Sequence, residues 1–154
     1  MLKLRPATAA DQPVITQMIA EADLNPRGLE WPRFLVVADG EEVVGIGQIK
    51  RHSDGTSELA SLAVRPAYQD RGIGYALMAA LLAREPGRLH LMCANNMEPY
   101  YQRYGFRSLR FAEYPRYFKR LYPLLLGMTA LARLRGWRGH VLVMRRDGGT
   151  AAPR

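Results

Sequence analysis

A glycine-containing loop with an anion-binding pattern lies between a predicted strand and a predicted helix. The apolar strand ends at Val64, and residues 69–74, with the sequence QDRGIG, lead directly into an apolar helical pattern. Backbone N–H groups at a helix N-terminus are unpaired and carry partial positive charge, and glycine lets an anion approach them closely. Arg71 adds a full positive charge beside them. The loop therefore predicts a phosphate-binding site, with a simple tight turn as the alternative.

Two common nucleotide-binding motifs are absent from this loop. The chain contains no GxxxxGK, the pattern of a P-loop, and GxGxxG fails because residue 77 is leucine. A nucleoside triphosphate and a nicotinamide dinucleotide are therefore both disfavoured as ligands.

Glu58 is an acidic residue on an otherwise apolar row. Strict alternation in SELASLAV puts it on one face of a strand with Ala60, Leu62 and Val64. A carboxylate in apolar surroundings suits a general base that works near neutral pH. The alternative is a solvated side chain at the mouth of the strand.

The other candidate nucleophiles and metal ligands stand alone in the sequence. Cys93, the single cysteine, ends an apolar strand and is expected to be a buried small side chain rather than a nucleophile. His52, His90 and His140 are expected at loops or strand edges. No Cys/His cluster has metal-ligand spacing, so no metal is expected.

The elements that must position these residues follow the order β-α-β-β-β-α-β-α-β, then an apolar segment and a last strand. Thr8 and Asp11 form a capping-box variant before the first helix, Asp39-Gly40 marks a hairpin, and Pro86-Gly87 stops the second long helix. The order predicts an α/β (α+β) domain with a mixed sheet.

The glycine loop and a second motif resemble the GCN5-related N-acetyltransferase (GNAT) family. The family pattern Q/R-x-x-G-x-G/A stands at residues 69–74, and Tyr-x-x-x-Gly-Phe stands at residues 101–106. The likeness in element order extends to Arg110. It implies a mostly antiparallel central sheet flanked by helices. It also implies an acetyl-CoA-dependent N-acetyltransferase in which a primary amine attacks the thioester directly.

The resemblance also implies roles for individual residues. Glu58 matches a catalytic glutamate, the backbone amide of Leu62 an oxyanion donor, and Tyr101 the acid that protonates the CoA thiolate. Family strands carry a bulge here that frees amides such as those of Ala63 and Val64 for the pantetheine arm. The residues expected to bind acetyl-CoA are Leu62, Ala63, Val64, Gln69, Asp70, Arg71, Gly72, Ile73, Gly74, Tyr75, Ala76, Asn96 and Tyr101.

In the family, the loop between the first two helices lines the acceptor site, and here it reads DLNPRGLEWPRF. Arg27 and Arg33 are expected to hold an acidic group of the acceptor, and Trp31 to form an apolar wall. Two solvated arginines and an anchoring tryptophan are the alternative. The acceptor is therefore a small-molecule or peptide amine of open identity.

Length and composition fit one domain over residues 1–147 and a disordered tail over 148–154, since the chain has 154 residues and is 48% hydrophobic. The N-terminus has no signal-like apolar core and no apolar run approaches the ~20 residues of a membrane span, so a cytoplasmic location is expected.

The net charge of +8 is concentrated in the C-terminal third. Residues 1–102 hold ten Lys/Arg against twelve Asp/Glu, and residues 103–154 hold twelve against two. The bias favours an anionic ligand or partner, with a solvated basic face as the alternative. Nucleic acid is not expected as a partner, because no nucleic-acid recognition signature is present.

Residues 112–139 depart from the compact family pattern as a helical insert before the last strand. Apolar residues recur there at helical spacing among basic ones, and Pro123 and Gly127 are expected to bend or interrupt the helix. We expect residues 116–134 to pack on the domain or to form a homodimer contact rather than to bind lipid.

Two rival functions stay open at this level. The first is a CoA-binding module without catalysis, in which Glu58 and Tyr101 are structural. The second is a nucleic-acid binder that uses the basic C-terminal third, which requires a steeply salt-dependent affinity.

Overall fold

The computed structural model describes residues 1–149. Seven strands form a mixed, mostly antiparallel sheet that is flanked by helices, as the sequence predicted. The strands are β1 (Leu2–Pro6), β2 (Phe34–Asp39), β3 (Glu42–Arg51), β4 (Ser57–Val64), β5 (Leu89–Ala94), β6 (Arg107–Ser108) and β7 (Val141–Arg146). The α-helices are α1 (Gln12–Glu21), α2 (Ile73–Arg84), α3 (Glu98–Gln102) and α4 (Arg116–Leu134). From residue 150 onward, the predicted tail 148–154 lies outside the described residues.

The chain divides into two compact units. The first contains Met1–Lys50 and Leu59–Glu85, and the second contains Arg51–Glu58 and the chain from Pro86 onward. In the first unit the strand order is β1-β2-β3-β4, and β1-β2 and β2-β3 pair antiparallel. In the second unit the start of β4 pairs parallel with β5, and β7 lies antiparallel between β5 and β6.

The capping-box prediction for the start of α1 is confirmed. The Asp11 carboxylate accepts hydrogen bonds from the Thr8 amide, at 2.7 Å, and from the Arg5 guanidinium. The hydrogen bond from Arg5 holds the pKa of Asp11 at about 2. The apolar face of α1 then packs into a buried cluster that contains Ile15, Met18, Ile19, Phe34, Val36 and Ile46.

Two glycines on β3 let α2 lie close to the sheet. A Cβ atom on Gly45 would lie 2.7 Å from Ile73 Cγ2, and one on Gly47 would lie 2.9 Å from Leu81 Cδ1. Ile73, Leu77 and Leu81, spaced four residues apart, are buried on that face of α2. Because glycine has no side chain, Gly45 and Gly47 allow α2 to pack at this short distance from β3.

Helix α4 is continuous from Arg116 to Leu134. Pro123 and Gly127 were expected to bend or interrupt it, and the interruption does not occur. Both residues are exposed, and water can satisfy the carbonyl group that proline leaves without a partner. Phe118 is its one buried residue and packs with Leu109 and Val143. The apolar side chains that lie more than half exposed on this helix are Leu124, Leu126, Met128, Leu131 and Leu134.

Candidate active site

The glycine loop has the geometry of an open helix N-terminus. Gly72 is the N-cap residue of α2 and adopts a left-handed conformation, with φ of +77°, and no side chain caps the helix. The side chains of Gln69, Asp70 and Arg71 are exposed, and the Arg71 guanidinium lies 5.0 Å from the centre of the Tyr68 ring. No side chain therefore caps the first amides of α2, which is the arrangement that an anion site at a helix N-terminus requires.

Strand β4 is irregular between Glu58 and Leu62. Ser61 has φ of +58°, a left-handed conformation that is rare for a residue with a side chain. Ser57, Glu58 and Leu59 are all buried, and Leu62 approaches Gly47 while Ala63 packs against the cluster around α1. Burial along β4 therefore does not alternate as the sequence pattern predicted, since three consecutive residues are buried at its start. The left-handed Ser61 is a second departure from regular strand geometry, in the middle of the strand.

Gln48 links this irregularity to the predicted acceptor loop. Its side chain is fully buried, and its Nε2 donates to Ser61 Oγ, at 2.8 Å, and to the Gly28 carbonyl, at 3.0 Å. Gln48 was not among the site residues predicted from the sequence. The sequence did contain a signal for it, since Gln48 is a polar residue among the apolar residues of β3.

Glu58 is buried and paired with a histidine. Its side chain is 7% exposed, and its Oε2 lies 2.6 Å from His52 Nε2. The alternative of a solvated glutamate is therefore wrong. His52 lies in the turn after β3, as expected, but it is not isolated, because it contacts Glu58. The predicted turn HSDGTS was a sequence signal for this contact, because a tight turn brings the following residues back beside His52. The backbone N–H of His52 does bond to the Thr56 carbonyl, at 2.9 Å.

The turn that carries His52 is bound to the first turn of α4. The His52 ring stacks on Tyr117 with a centroid distance of 3.4 Å and an angle of 13°. Asp54 Oδ2 accepts a hydrogen bond from the Tyr117 amide at 2.8 Å, and its Oδ1 accepts one from the Thr56 amide. Desolvation opposes ionisation of Asp54, but these hydrogen bonds and the nearby His52 lower its pKa to about 2.

His90 is the pairing partner of Glu58 in the parallel β4-β5 register. It is 5% exposed, and its ring lies 5.9 Å from that of Phe118. Burial, together with the charges of Arg145 and Arg88, lowers the pKa of His90 to about 4. The imidazole is therefore neutral at physiological pH. Its Nδ1 has no hydrogen-bond partner among the described residues.

Tyr101 lies on α3 within a cluster of aromatic rings. Its ring makes edge contacts with Tyr100, at 5.1 Å, and with Phe106, at 6.1 Å. Burial, with smaller effects from Cys93 and Tyr104, raises the pKa of Tyr101 to about 12. The hydroxyl is therefore protonated near neutral pH, as a proton donor must be.

The two asparagines before α3 differ in their surroundings. Asn95 Oδ1 accepts a hydrogen bond from the His140 amide at 3.0 Å, and its own amide bonds to the His140 carbonyl at 2.9 Å. Asn95 is therefore a structural link to the start of β7. Asn96, the residue expected to contact pantetheine, is exposed.

The predicted acceptor loop is held by buried polar side chains. Lys50 is 7% exposed and donates to the Arg27 carbonyl at 2.8 Å, and Gln12 accepts from the Trp31 amide at 2.9 Å. Arg33 forms an ion pair with Glu30 at 2.8 Å. The side chains of Arg27 and Trp31 are thus exposed, while hydrogen bonds hold their backbone groups in place. The charge of Arg33 is partly neutralised by Glu30.

Cys93 is half-buried on β5, and burial with the charge of Glu98 raises the pKa of its thiol to about 11. The neutral thiol is a poor nucleophile, which agrees with the sequence prediction. Within residues 1–149, no three His, Cys, Asp or Glu side chains are grouped as a metal site. No helix in the same residues is long and apolar enough to cross a membrane.

The predicted catalytic residues thus fall into two groups. Glu58 and Tyr101 belong to the second unit, where Glu58 meets His52, and the oxyanion residue Leu62 and the glycine loop belong to the first unit. The first group offers a buried acid–base pair and a protonated phenol. The second offers an open helix N-terminus behind an irregular strand.

Solved structures with the same fold include several acetyltransferases. The Neisseria gonorrhoeae N-acetylglutamate synthase, complexed with coenzyme A and N-acetyl-glutamate, is 23% identical with a TM-score of 0.71 over 97% of this chain. This chain spans only 36% of that protein's length. Rv2747 from Mycobacterium tuberculosis, in complex with CoA, is 20% identical with a TM-score of 0.70, over 94% of this chain and 98% of that one.

A third similar structure is the ribosomal-protein-S18-alanine N-acetyltransferase of Escherichia coli. It is 17% identical with a TM-score of 0.68, over 99% of this chain and 97% of its own. At these identities the likeness shows the fold alone. No curated protein matches this chain significantly in sequence.

A family model identifies the chain more directly than these structures do. Residues 30–108 match the acetyltransferase (GNAT) domain, and this range includes Glu58, the whole glycine loop and Tyr101. The chain therefore belongs to the GNAT acetyltransferase family.

Proposed function

We propose that the protein transfers the acetyl group of acetyl-CoA to a primary amine of a small-molecule acceptor, by direct attack of the amine on the thioester. The observation that carries this proposal is the buried Glu58 carboxylate, held 2.6 Å from His52 within the matched family domain. A buried carboxylate with a defined partner suits a base, because its position is fixed before the substrate binds.

The glycine loop is the proposed donor site. The amides at the start of α2 and the Arg71 guanidinium would hold the CoA pyrophosphate, and Gly72 and Gly74 give the phosphates access to the backbone. The rest of the set is Leu62, Ala63, Val64, Gln69, Asp70, Ile73, Tyr75, Ala76, Asn96 and Tyr101. The left-handed Ser61 supports the part of this set on β4, because such a reversal frees amides from regular pairing.

An acceptor that binds as a primary ammonium ion must lose two protons overall. In the proposed order of steps, Glu58 accepts the first proton, directly or through water, and the neutral amine nitrogen then bonds to the thioester carbonyl carbon. The Leu62 amide stabilises the oxyanion that forms, and the carbon–sulfur bond then breaks. Tyr101 donates its proton to the leaving thiolate and is reprotonated from the acceptor nitrogen. The products are the N-acetylated acceptor and CoA thiol, with one proton released to solvent.

The acceptor loop suggests which amines to test first. Two of the similar structures contain N-acetyl-glutamate or L-arginine, and exposed Arg27 could pair with an acceptor carboxylate. Amino acids therefore come first in the panel, followed by polyamines, other small amines and short peptides.

The test combines thiol release from acetyl-CoA with titration calorimetry of acetyl-CoA. Tight binding and thiol release with one acceptor class are expected. Binding with no release from any acceptor would favour the rival CoA-binding module without catalysis. Absence of acetyl-CoA binding would refute the donor site itself.

A further inference from the structure

The β3-β4 turn holds a pair of buried ionisable side chains that the sequence pattern did not reveal. His52 is 13% exposed and Glu58 is 7% exposed, and the contact between His52 Nε2 and Glu58 Oε2 is 2.6 Å. A carboxylate only accepts hydrogen bonds, so His52 Nε2 carries the hydrogen when Glu58 is ionised. The bond occupies one oxygen of the carboxylate and fixes the plane of the group.

The position of His52 is determined from two sides. Its backbone is fixed by the turn, where its N–H bonds to the Thr56 carbonyl and its carbonyl accepts from the Gly55 amide. Its ring lies flat on Tyr117 at a centroid distance of 3.4 Å. Asp54 locks that stack by binding the Tyr117 amide at 2.8 Å. Helix α4 therefore supplies the platform for the imidazole.

We propose that His52 is a positioning residue for the catalytic base: it holds Glu58 through Nε2–H, and α4 holds His52 through the Tyr117 ring. This inference rests on the proposed function, since it assumes that Glu58 is the base. It assigns helix α4 a role in catalysis through its first turn, whatever its exposed apolar residues contact.

Other titratable groups lie around this pair and must be separated from it. Asp54, in the same turn, interacts electrostatically with His52, and the Tyr117 phenol ring stacks on the His52 ring. His90 on β5 is paired with Glu58 in the parallel register. Arg88 and Arg145 act in turn on His90. Because burial and the two arginines hold the pKa of His90 at about 4, His90 does not change charge between that pH and neutrality.

Three variants separate positioning from packing. His52→Phe keeps a ring to stack on Tyr117 but removes the donor. His52→Gln keeps a donor but removes the ring, and Tyr117→Leu removes the ring on which His52 stacks. Glu58→Gln reports on the base itself. Each variant is measured for acetyl-CoA affinity, melting temperature and the pH profile of kcat/KM with the acceptor found above.

His52→Phe is expected to lower kcat/KM by roughly 10- to 100-fold, the usual range for a lost hydrogen bond to a charged group. The pH profile of kcat/KM should also change in this variant, because removing a donor to a carboxylate favours its protonated form. His52→Gln should recover a large part of the loss, and Tyr117→Leu, which removes the stacked ring, should lower kcat/KM in the same direction as His52→Phe. Acetyl-CoA affinity should stay unchanged in all three.

A readout without acceptor completes the test. In crystal structures of the variants without acceptor, the Glu58 carboxylate should leave its wild-type position in His52→Phe and keep it in His52→Gln. Equal impairment of His52→Phe and His52→Gln, with unmoved pH profiles and lowered melting temperatures, would mean a structural role and overturn the inference. An inactive Glu58→Gln beside a fully active His52→Phe would overturn the inference alone. A fully active Glu58→Gln would overturn the proposed base and the inference together.

Discussion

The Asp54 carboxylate accepts a hydrogen bond from the Tyr117 amide at 2.8 Å, across 63 residues of sequence. Tyr117 is the second residue of α4, and its N–H is one of the amides that a helix cannot satisfy internally. A turn between two strands thus caps a helix that begins far along the chain. The same turn carries His52, the partner of Glu58.

Replacement of Asp54 should therefore destabilise the start of α4. Asp54→Ala removes the acceptor for both the Tyr117 and the Thr56 amides and should lower the free energy of unfolding by about 1–2 kcal/mol, as loss of a helix cap does. Urea denaturation measures the change. Asp147→Ala, which removes only exposed ion pairs with Arg88 and Arg145, is the matched control and should cost less than about 1 kcal/mol. An equal loss in the two variants would contradict the capping role.

Gly74→Asp should abolish acetyl-CoA binding. The substitution adds a carboxylate to the first turn of α2, beside the amides proposed to bind the pyrophosphate, and like charges repel there. Calorimetry should give at least a roughly tenfold weaker affinity, or no measurable binding. Gly127→Asp on α4 is the control, since a side chain there meets nothing within 4 Å. Wild-type affinity in folded Gly74→Asp would remove the loop from the donor site.

Tyr101→Phe should slow turnover and spare binding. The pKa of about 12 keeps the phenol protonated at neutral pH, so the wild-type residue can donate to the thiolate while phenylalanine cannot. Loss of a general acid predicts a kcat that is about 100-fold lower, with unchanged acetyl-CoA affinity. Tyr100→Phe, on the same short helix, should stay close to wild type. A Tyr101→Phe variant as fast as the wild type would exclude this residue as the acid.

The parts of the site that follow from local sequence were predictable. The glycine loop, the strand before it and the helix after it depend on neighbouring residues, and the structure places Gly72 at the N-cap of α2. Burial of Glu58 was foreseen from its apolar neighbours, although burial along β4 does not alternate as the sequence pattern predicted. The left-handed Ser61 is a second departure from regular strand geometry, and no pattern in SELASLAV indicates it.

The contacts that define the surroundings of Glu58 were not predictable in the same way. His52 could have been inferred from the tight turn, but its stack on Tyr117 and the Asp54 cap join segments with no shared local pattern. Continuity of α4 through Pro123 was likewise not predicted, because proline both removes a hydrogen bond and crowds the preceding turn of a helix. Pro123 is exposed, so water can bond to the carbonyl group that is left without a partner.

His90 should make the protein sensitive to mild acid. In the folded chain burial and two arginines hold its pKa at about 4, against 6.5 for an ordinary histidine, so between these values the unfolded chain binds a proton that the folded chain does not. The free energy of unfolding should therefore fall as pH falls from 6.5 towards 4, by on the order of 3 kcal/mol over the whole range. It should rise again as pH rises through the same range, and this contribution is complete above pH 6.5.

The comparison of wild type with His90→Gln isolates this effect from the carboxylates. Urea denaturation at pH 7.0, 5.5 and 4.5 is expected to show a steeper loss for the wild type, so that the difference between the two proteins shrinks as pH falls. If His90→Gln does not fold, histidine NMR of the wild type decides instead: His90 should remain unprotonated down to about pH 4. Protonation of His90 near pH 6.5 would contradict its burial as the source of acid sensitivity.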